Sequence, residues 1–370
     1  VREPDCLITP FSHATIPIAL PREQAPGTDF PLSPALNMSD NYQEIERVVV
    51  DTFAQWDVVR VGFSWRKYYL DHTLQVRNLA LRMARELDAD PEQLRFAAIL
   101  HDVTKRYDGA ILKDSTGRNV VNEEGFWLNE TIRPDRENWV TRLYDRLGLH
   151  GQIHHVSGAI LTEHVLREFD FPENFIRPVG KIVAGHLKGS APPEVQDVRY
   201  REPEVRILYD ADTIDPNVGL TAFYRNVQIN AGFALKSGEP IDLRAYVEKL
   251  PRWIEMKESF RDQLLTERGR EICEERQARN RRLARDLRSE LDNEAVNRKY
   301  GLLGVLEHLF TNPEDPSLRE HATSLSAEWL PQRERLLQEE NELDRDAAAE
   351  ALARSREFDR LLQAELRGEA

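Results

Sequence analysis

The chain has 370 residues, 41% of them hydrophobic and 31% charged, and a formal net charge of -14. That is enough for one large or two ordinary domains with long solvated helices, and the acidic balance argues against a general affinity for nucleic-acid backbone. Its two cysteines, Cys6 and Cys273, supply neither a disulfide framework nor a thiolate zinc site, which points to a reducing compartment. No apolar run approaches the length of a membrane span, and no basic segment followed by an apolar one marks a signal peptide. A soluble, cytoplasmic protein is expected.

Residues 1–40 hold Pro4, Pro10, Pro17, Pro21, Pro26, Pro31 and Pro34. Proline at this density forbids helix and favours extended chain, so a Pro-rich leader or arm is expected. Helical periodicity begins near Asn41, with Ile45, Val48, Val49, Phe53 and Trp56 on one stripe and Asp40 as the N-cap. A second helix runs from Trp65 to Leu87. Its stripe of His72, Val76, Leu79, Ala80, Met83 and Leu87 turns His72 inward. Asp90-Pro91 opens a third helix with proline in the first turn. Leu94, Ala97, Ala98, His101 and Lys105 share its face, and it ends at His101-Asp102.

Residues 106–150 read as an insertion. Ser115-Thr116-Gly117 between short apolar runs signals a hairpin within Ile111 to Val121, and Trp127 and Trp139 imply that the insertion packs. Its place directly after the His-Asp pair makes it a candidate lid. The next helix, His154 to Phe169, has an apolar face of Gly158, Leu161, Val165, Leu166 and Phe169 flanked by His154 and His155, with His164 off it. From Asn174 to Leu187, Phe175, Val179, Ile182, Val183 and His186 share one side, and Pro192-Pro193 marks a loop. Val205, Leu208 and Asp212 then share a face while Asp210 points elsewhere, and Asp215-Pro216 closes the segment.

Residues 218–292 read as helices, including a long charged one with Leu264, Ile272, Leu283 and Leu287. Gly301 to Phe310 is a short apolar helix, Asn312, Pro313 and Pro316 form a break, and residues 317–368 are helix formers that suit a solvated appendage, a partner-binding helix or a coiled-coil arm. The expected plan is all-α: a leader at 1–40, a helical bundle at 41–295 interrupted by the 106–150 insertion, and a helical C-terminal appendage at 296–370.

Four predicted helices each turn a metal-capable residue inward: His72, His101 with Asp102, His154 or His155, and His186. Asp212 adds a fifth position. Each alone is more often structural. Together they would impose large desolvation costs on an apolar interior, which two divalent cations would offset, with Asp102 placed to bridge them.

Tyr69-Leu70-Asp71-His72-Thr73-Leu74-Gln75-Val76, then Ala97 to Lys105, then a distal aspartate, resemble the HD-domain metal-dependent phosphohydrolase superfamily. Three further segments are similar to its YqeK-like branch, which hydrolyses diadenosine tetraphosphate: His154 to Ala159, Gly185 to Gly189, and Ile207 to Asn217. Leu264 to Arg270 with Glu274-Glu275-Arg276 is similar to a C-terminal helix of some other HD hydrolases. The resemblance covers about residues 60–290 and implies metal ligands at His72, His101, Asp102, His154, His186 and Asp212. It favours His154 over His155 because Gly158 then falls four residues later, and Asp212 over Asp210 because Asp212 takes the Ala-Asp position.

The implied activity is hydrolysis of a phosphate ester or anhydride, in a nucleotide, by a hydroxide activated at two divalent ions (Fe, Mn or Mg). Asp102 would be catalytic as the bridge. Lys105, one turn beyond His101, reaches a phosphate oxygen, and Arg66, Lys67 and Lys188 are further phosphate contacts. The partner expected is a small phosphorylated molecule, with no membrane and no nucleic acid, and a homo-oligomer would form through the C-terminal helices. Two other readings compete: a di-iron oxygenase on the same six ligands, and a non-enzymatic ligand-binding protein in which the helical tail does the work.

Overall fold

The computed structural model describes residues 38–57, 60–61, 64–123, 125–188, 198–311, 313–341 and 343–369. The proline-rich segment up to residue 37, the Pro192-Pro193 loop, Gly189 and Asn312 lie outside them. Among the described residues the architecture is all-α, with two short two-stranded ribbons.

Among the described residues the first seven helices are α1 (Met38–Phe53), α2 (Arg66–Leu87), α3 (Pro91–Leu100), α4 (Trp139–Arg146), α5 (His154–Glu168), α6 (Glu173–Gly185) and α7 (Pro203–Ile214). Helix α1 starts at Met38, three residues ahead of the expected Asn41, so Asp40 lies inside its first turn instead of capping it. The cap expected at Asp90 is present: its carboxylate accepts from the backbone N–H groups of Glu92 and Gln93, and Pro91 occupies the first helical position, where its missing N–H costs nothing. Apolar stripes of α1, α2, α3, α5, α6 and α7 meet in one core, joined by Leu264, Ile272 and Cys273 from further along the chain. Burial of this scale supplies the main drive for folding.

The insertion is folded, as the two tryptophans imply. Strand β1 (Asp108–Ile111) pairs antiparallel with β2 (Asn129–Thr131). Between them a hairpin turns at Asp114–Arg118, where Lys113 bridges Asn119 and Gly117 adopts φ +82°, the left-handed conformation that glycine tolerates. Trp127 packs against Phe126 and Ile153 in a small satellite core, and Trp139 packs against Phe169.

A second core gathers α8 (Leu220–Ser237), α9 (Leu243–Glu258), the far half of α10 (Glu267–Glu290), α11 (Glu294–Tyr300), α12 (Leu302–Leu309), α13 (Leu318–Ser324), α14 (Leu330–Gln338) and α15 (Arg345–Leu366). Residues 317–368 are therefore folded back and do not form an extended arm: Ala348, Ala351, Leu352, Phe358, Leu362 and Leu366 of α15 are buried within the chain. Two buried carboxylates hold helix starts in place. Asp210 accepts from the backbone N–H of Leu265 at 2.8 Å, and from the N–H and hydroxyl of Thr266 at 2.8 and 2.6 Å, just ahead of α10. Glu365 accepts from Leu220 and Thr221 N–H at the start of α8, a favourable place for a negative charge.

Glycine sets the approach of α6 to α7. A Cβ built on Gly185 would stand 2.2 Å from Val205 Cγ1. Gly185→Ala is expected to cost about 1–3 kcal/mol by overpacking, read as a lower urea midpoint. Combined with Val205→Ala, the loss should fall short of the sum of the two single losses; additive losses would mean that this contact does not limit the packing.

Candidate metal centre

Five helices deliver the centre. His72 stands in the buried stripe of α2, His101 is the C-cap of α3 with Asp102 next to it, His154 opens α5, His186 is the C-cap of α6, and Asp212 lies near the end of α7. All four histidines and Asp102 are buried, whereas the Asp212 side chain keeps 20% of its surface exposed and so marks the side open to solvent. Glycine again permits the close approach, because a Cβ on Gly158 would sit 3.2 Å from Thr104 Oγ1 and 3.3 Å from the His101 carbonyl oxygen. Thr104 in turn donates to the His154 carbonyl at 3.0 Å.

Each histidine is pinned through the same ring nitrogen. His101 Nδ1 lies 2.7 Å from the Ala98 carbonyl and His186 Nδ1 lies 2.6 Å from the Val183 carbonyl. His72 Nδ1 lies 2.7 Å from Asp215 Oδ2, and His154 Nδ1 is hydrogen-bonded to Asp108 Oδ2. A carbonyl oxygen has no proton to give and a carboxylate accepts, so each Nδ1 carries the hydrogen and donates. In the neutral ring the lone pair then sits on Nε2. The Nε2 atoms of His101 and His186 are buried without a hydrogen-bond partner, which is costly for a polar atom unless a Lewis acid takes the lone pair.

The four Nε2 atoms converge on the two oxygens of Asp102. Oδ2 faces His72 at 3.8 Å and His101 at 3.7 Å, and Oδ1 faces His154 at 3.5 Å and His186 at 3.6 Å. Asp212 Oδ1 closes the first group, 2.9 Å from His72 Nε2 and 3.6 Å from His101 Nε2. Ligands about 2.0–2.2 Å from an ion lie about 3–3.4 Å from one another, close to these separations. Among the described residues, His72, His101 and Asp102 form one group suited to a metal ion, and Asp102, His154 and His186 form another. Imidazole with carboxylate is a donor set for first-row divalent ions.

The electrostatics agree. Burial would raise the Asp102 carboxyl, but His101, His186 and Lys105 hold it well below the usual carboxylate range. Burial likewise opposes ionisation of Asp212, and the nearby imidazoles of His101 and His72, the second hydrogen-bonded to it, outweigh it and lower its pKa. On His72, burial works against the charged form, yet the carboxylates of Asp212 and Asp215 at either ring nitrogen push it up to about 10.

All six candidate ligands come together. Lys105 does too: its Nζ lies 3.1 Å from His154 Nε2 and 3.3 Å from Nδ1. His155 stays outside both groups, its buried ring against Phe126 with neither nitrogen hydrogen-bonded, and burial pushes its pKa far down, so it is neutral. Lys188 stands over the rings of Tyr209 and Tyr200, at 5.2 and 5.9 Å. Arg66 and Lys67, expected as phosphate contacts, are engaged elsewhere: Arg66 pairs with Asp315 at 2.9 Å and Lys67 with Glu320 at 2.8 Å, because residue 315 and the first turn of α13 lie across the start of α2. Asp108 and Asp215 were not anticipated. Asp215 stands one helical turn after Asp212, a spacing that could have suggested it, whereas nothing local in the insertion singles out Asp108.

Asp215→Ala and Asp108→Ala, which unpin His72 and His154, are each expected to weaken metal binding roughly 10–100-fold with helicity retained, measured by competition with a chromophoric chelator. A second expectation concerns protons. In protein stripped of metal, charged His72 adds stability that is complete below its ordinary pKa of 6.5 and is lost as pH rises through about 10. A metal must displace that proton, so loading at pH 8 should release at least one proton in weak buffer, and His72→Gln should release fewer.

Residues 69–217 match the family model described as the HD domain. No curated protein matches the sequence. Among solved structures, one similar chain is described as a predicted HD superfamily hydrolase from an uncultured Thermotogales bacterium, at 17% identity over 69% of this chain and 99% of that one, with a TM-score of 0.38. Another is Bacillus subtilis YpgQ in complex with ADP, at 18% identity over 70% of this chain and 97% of that one, with a TM-score of 0.36. The HD-domain match encloses His72, His101, Asp102, His154, His186 and Asp212.

Proposed function

We propose that this centre holds two divalent metal ions bridged by Asp102 and hydrolyses a phosphate ester or anhydride bond, in a nucleotide. The observation that carries the reading is the orientation of the histidines. Four imidazoles are held through Nδ1 with every Nε2 turned to one carboxylate, and that carboxylate offers a separate oxygen to each pair. Bound there, divalent ions supply Lewis acidity toward phosphoryl oxygens and lower the pKa of water.

The chain's own residues account for the rest. His72, His101 and Asp212 with Asp102 Oδ2 make one ligand group, and His154 and His186 with Asp102 Oδ1 make the other. Asp108 and Asp215 fix the rings of His154 and His72, so little reorganisation is needed when substrate arrives. The Lys105 ammonium, beside His154, neutralises charge on a phosphoryl oxygen. Lys188, on its two tyrosine rings, is a second such contact. Phosphoryl transfer needs positioning and charge neutralisation more than a nucleophilic side chain, and the centre offers those two things. The sequence resemblance to the YqeK-like branch adds dinucleoside polyphosphates to the candidate substrates.

The test is turnover with Mn²⁺, Fe²⁺ or Mg²⁺ against nucleotides, dinucleoside polyphosphates, cyclic nucleotides and simple phosphate esters. Metal-dependent hydrolysis is expected, with Asp102→Ala losing at least a thousandfold in rate and binding less metal while staying helical. A fully active Asp102→Ala variant would sink the proposal, as would iron-loaded protein that consumes oxygen and hydrolyses nothing.

A further inference from the structure

Asp212 stands in the last turn of α7 and Asp215 caps that helix. The first is a candidate ligand and the second pins His72 through Nδ1 at 2.7 Å. The setting of this one turn therefore sets both groups.

Two bonds from the C-terminal helices hold the turn. The Thr221 hydroxyl, buried on α8, donates to the Asp215 carbonyl at 3.0 Å. Thr221 is itself seated by Glu365 of α15, which accepts from its backbone N–H at 3.3 Å and pairs with Arg279 of α10 at 3.2 Å. The Lys257 ammonium, on α9, donates to Asn217 Oδ1 at 2.7 Å, and a charged donor makes this a strong bond. The other end of the same amide, Asn217 Nδ2, donates at 2.9 Å to the carbonyl of Thr213, the residue after Asp212. Gln277 of α10 in turn donates to the Lys257 carbonyl at 3.1 Å. One relay thus ends on Asp215 and the other beside Asp212. The second ligand group is oriented from within residues 104–186, where Asp108 holds the His154 ring, Thr104 the His154 carbonyl, and the Val183 carbonyl the His186 ring.

We propose that Thr221 and Lys257 are positioning residues for the turn that carries Asp212 and Asp215. Through them the C-terminal helices tune the His72–His101–Asp212 ligand group and leave the His154–His186 group alone. The inference rests on the reading of two metal positions and is independent of the reaction that follows. Residues that merely filled space between the helices would not discriminate between the two groups.

The probe is Co²⁺, titrated into the whole chain after removal of metal and followed by visible absorbance and calorimetry. Two binding steps are expected, and the step that His101→Ala abolishes belongs to the His72 group. Lys257→Met and Thr221→Val should each weaken that step roughly tenfold, the low end for loss of a group that orients a ligand, and alter its absorbance spectrum. The step that His186→Ala abolishes should stay within about twofold. Lys257→Arg and Thr221→Ser, which keep the donors, should restore most of the affinity. Equal losses in both steps, no loss in either, or conservative variants that do no better than Met and Val would overturn the proposal. Lys257 is half-buried, so Lys257→Met decides the matter even where Thr221→Val does not fold. A protein that takes up a single Co²⁺ ion loses the two-ion reading, and the positioning then stands only if that ion depends on His101 and is weakened by Lys257→Met. Turnover is not read, so a protein that binds both ions and hydrolyses nothing loses the hydrolase alone.

Discussion

The buried carboxylate of Asp102 is the constraint on which the rest depends. An ionised carboxylate in an apolar interior is costly unless its charge is met. Here four imidazoles surround it and an ammonium stands near, and the surroundings hold it ionised. Three of the four histidines stand at helix ends. Two of them do a second job there: His101 and His186 donate from Nδ1 to carbonyls three residues back, in the last turn, and the Val183 carbonyl accepts from the His186 backbone N–H as well. One residue thus caps a helix and has its ring aimed. The same economy appears in α7, where Asp210 and Asp212, two residues apart, face opposite ways. Asp210 receives the chain entering α10, and Asp212 faces the histidines.

The C-terminal core is packed onto the helix that carries His72. Asp71, its neighbour in sequence, is buried and accepts from the Ser317 hydroxyl at 2.8 Å, with Arg319 at 3.5 Å. Burial raises the Asp71 carboxyl despite these partners. Further along α2, Asn78 donates to the Leu366 carbonyl at 2.9 Å. Successive residues therefore serve different halves: His72 turns to the candidate metal centre and Asp71 to the C-terminal helices. A change in residues 315–320 acts on the seat of α2, and so on the position of His72, without touching the centre.

The sequence made one layer of this legible and left the next unread. An apolar stripe that ends in histidine is a local pattern with a helical period, so His72, His101, His186 and Asp212 could be read from spacing, whereas spacing left His154 and His155 open and only the family resemblance favoured His154. The groups that orient them are set by tertiary contact. Asp215 meets His72 across 143 residues, with its spacing from Asp212 as the one local hint, and Asp108 meets His154 across 46 with no local trace. The same reason explains Arg66 and Lys67. Beside the ligand segment in sequence they looked like phosphate contacts, but their partners Asp315 and Glu320 come from a part of the chain that periodicity could not dock. The tail was read as helical from composition. Its return onto a core of its own depended on faces that match only in three dimensions.

Charge remains to be reconciled, because a chain of net charge -14 is proposed to bind an anion. At physiological ionic strength exposed charges are screened beyond about 8 Å, so what an arriving phosphate meets is local. The centre opens where Asp212 is exposed. Lys105 lies beside His154, and Lys188 stands on Tyr200 and Tyr209. These side chains come from the turn after α3 and the end of α6, so no basic run in the sequence announces them. Against them stand Asp102, Asp212, Asp108 and Asp215, whose negative charge is spent on imidazoles and on whatever cations those imidazoles hold. On the proposed reading, bound metal would neutralise the carboxylates from within and leave Lys105 and Lys188 to meet the arriving phosphate. Metal loading therefore sets the sign of the local field, and anion affinity should depend on it more than on the charge of the chain as a whole.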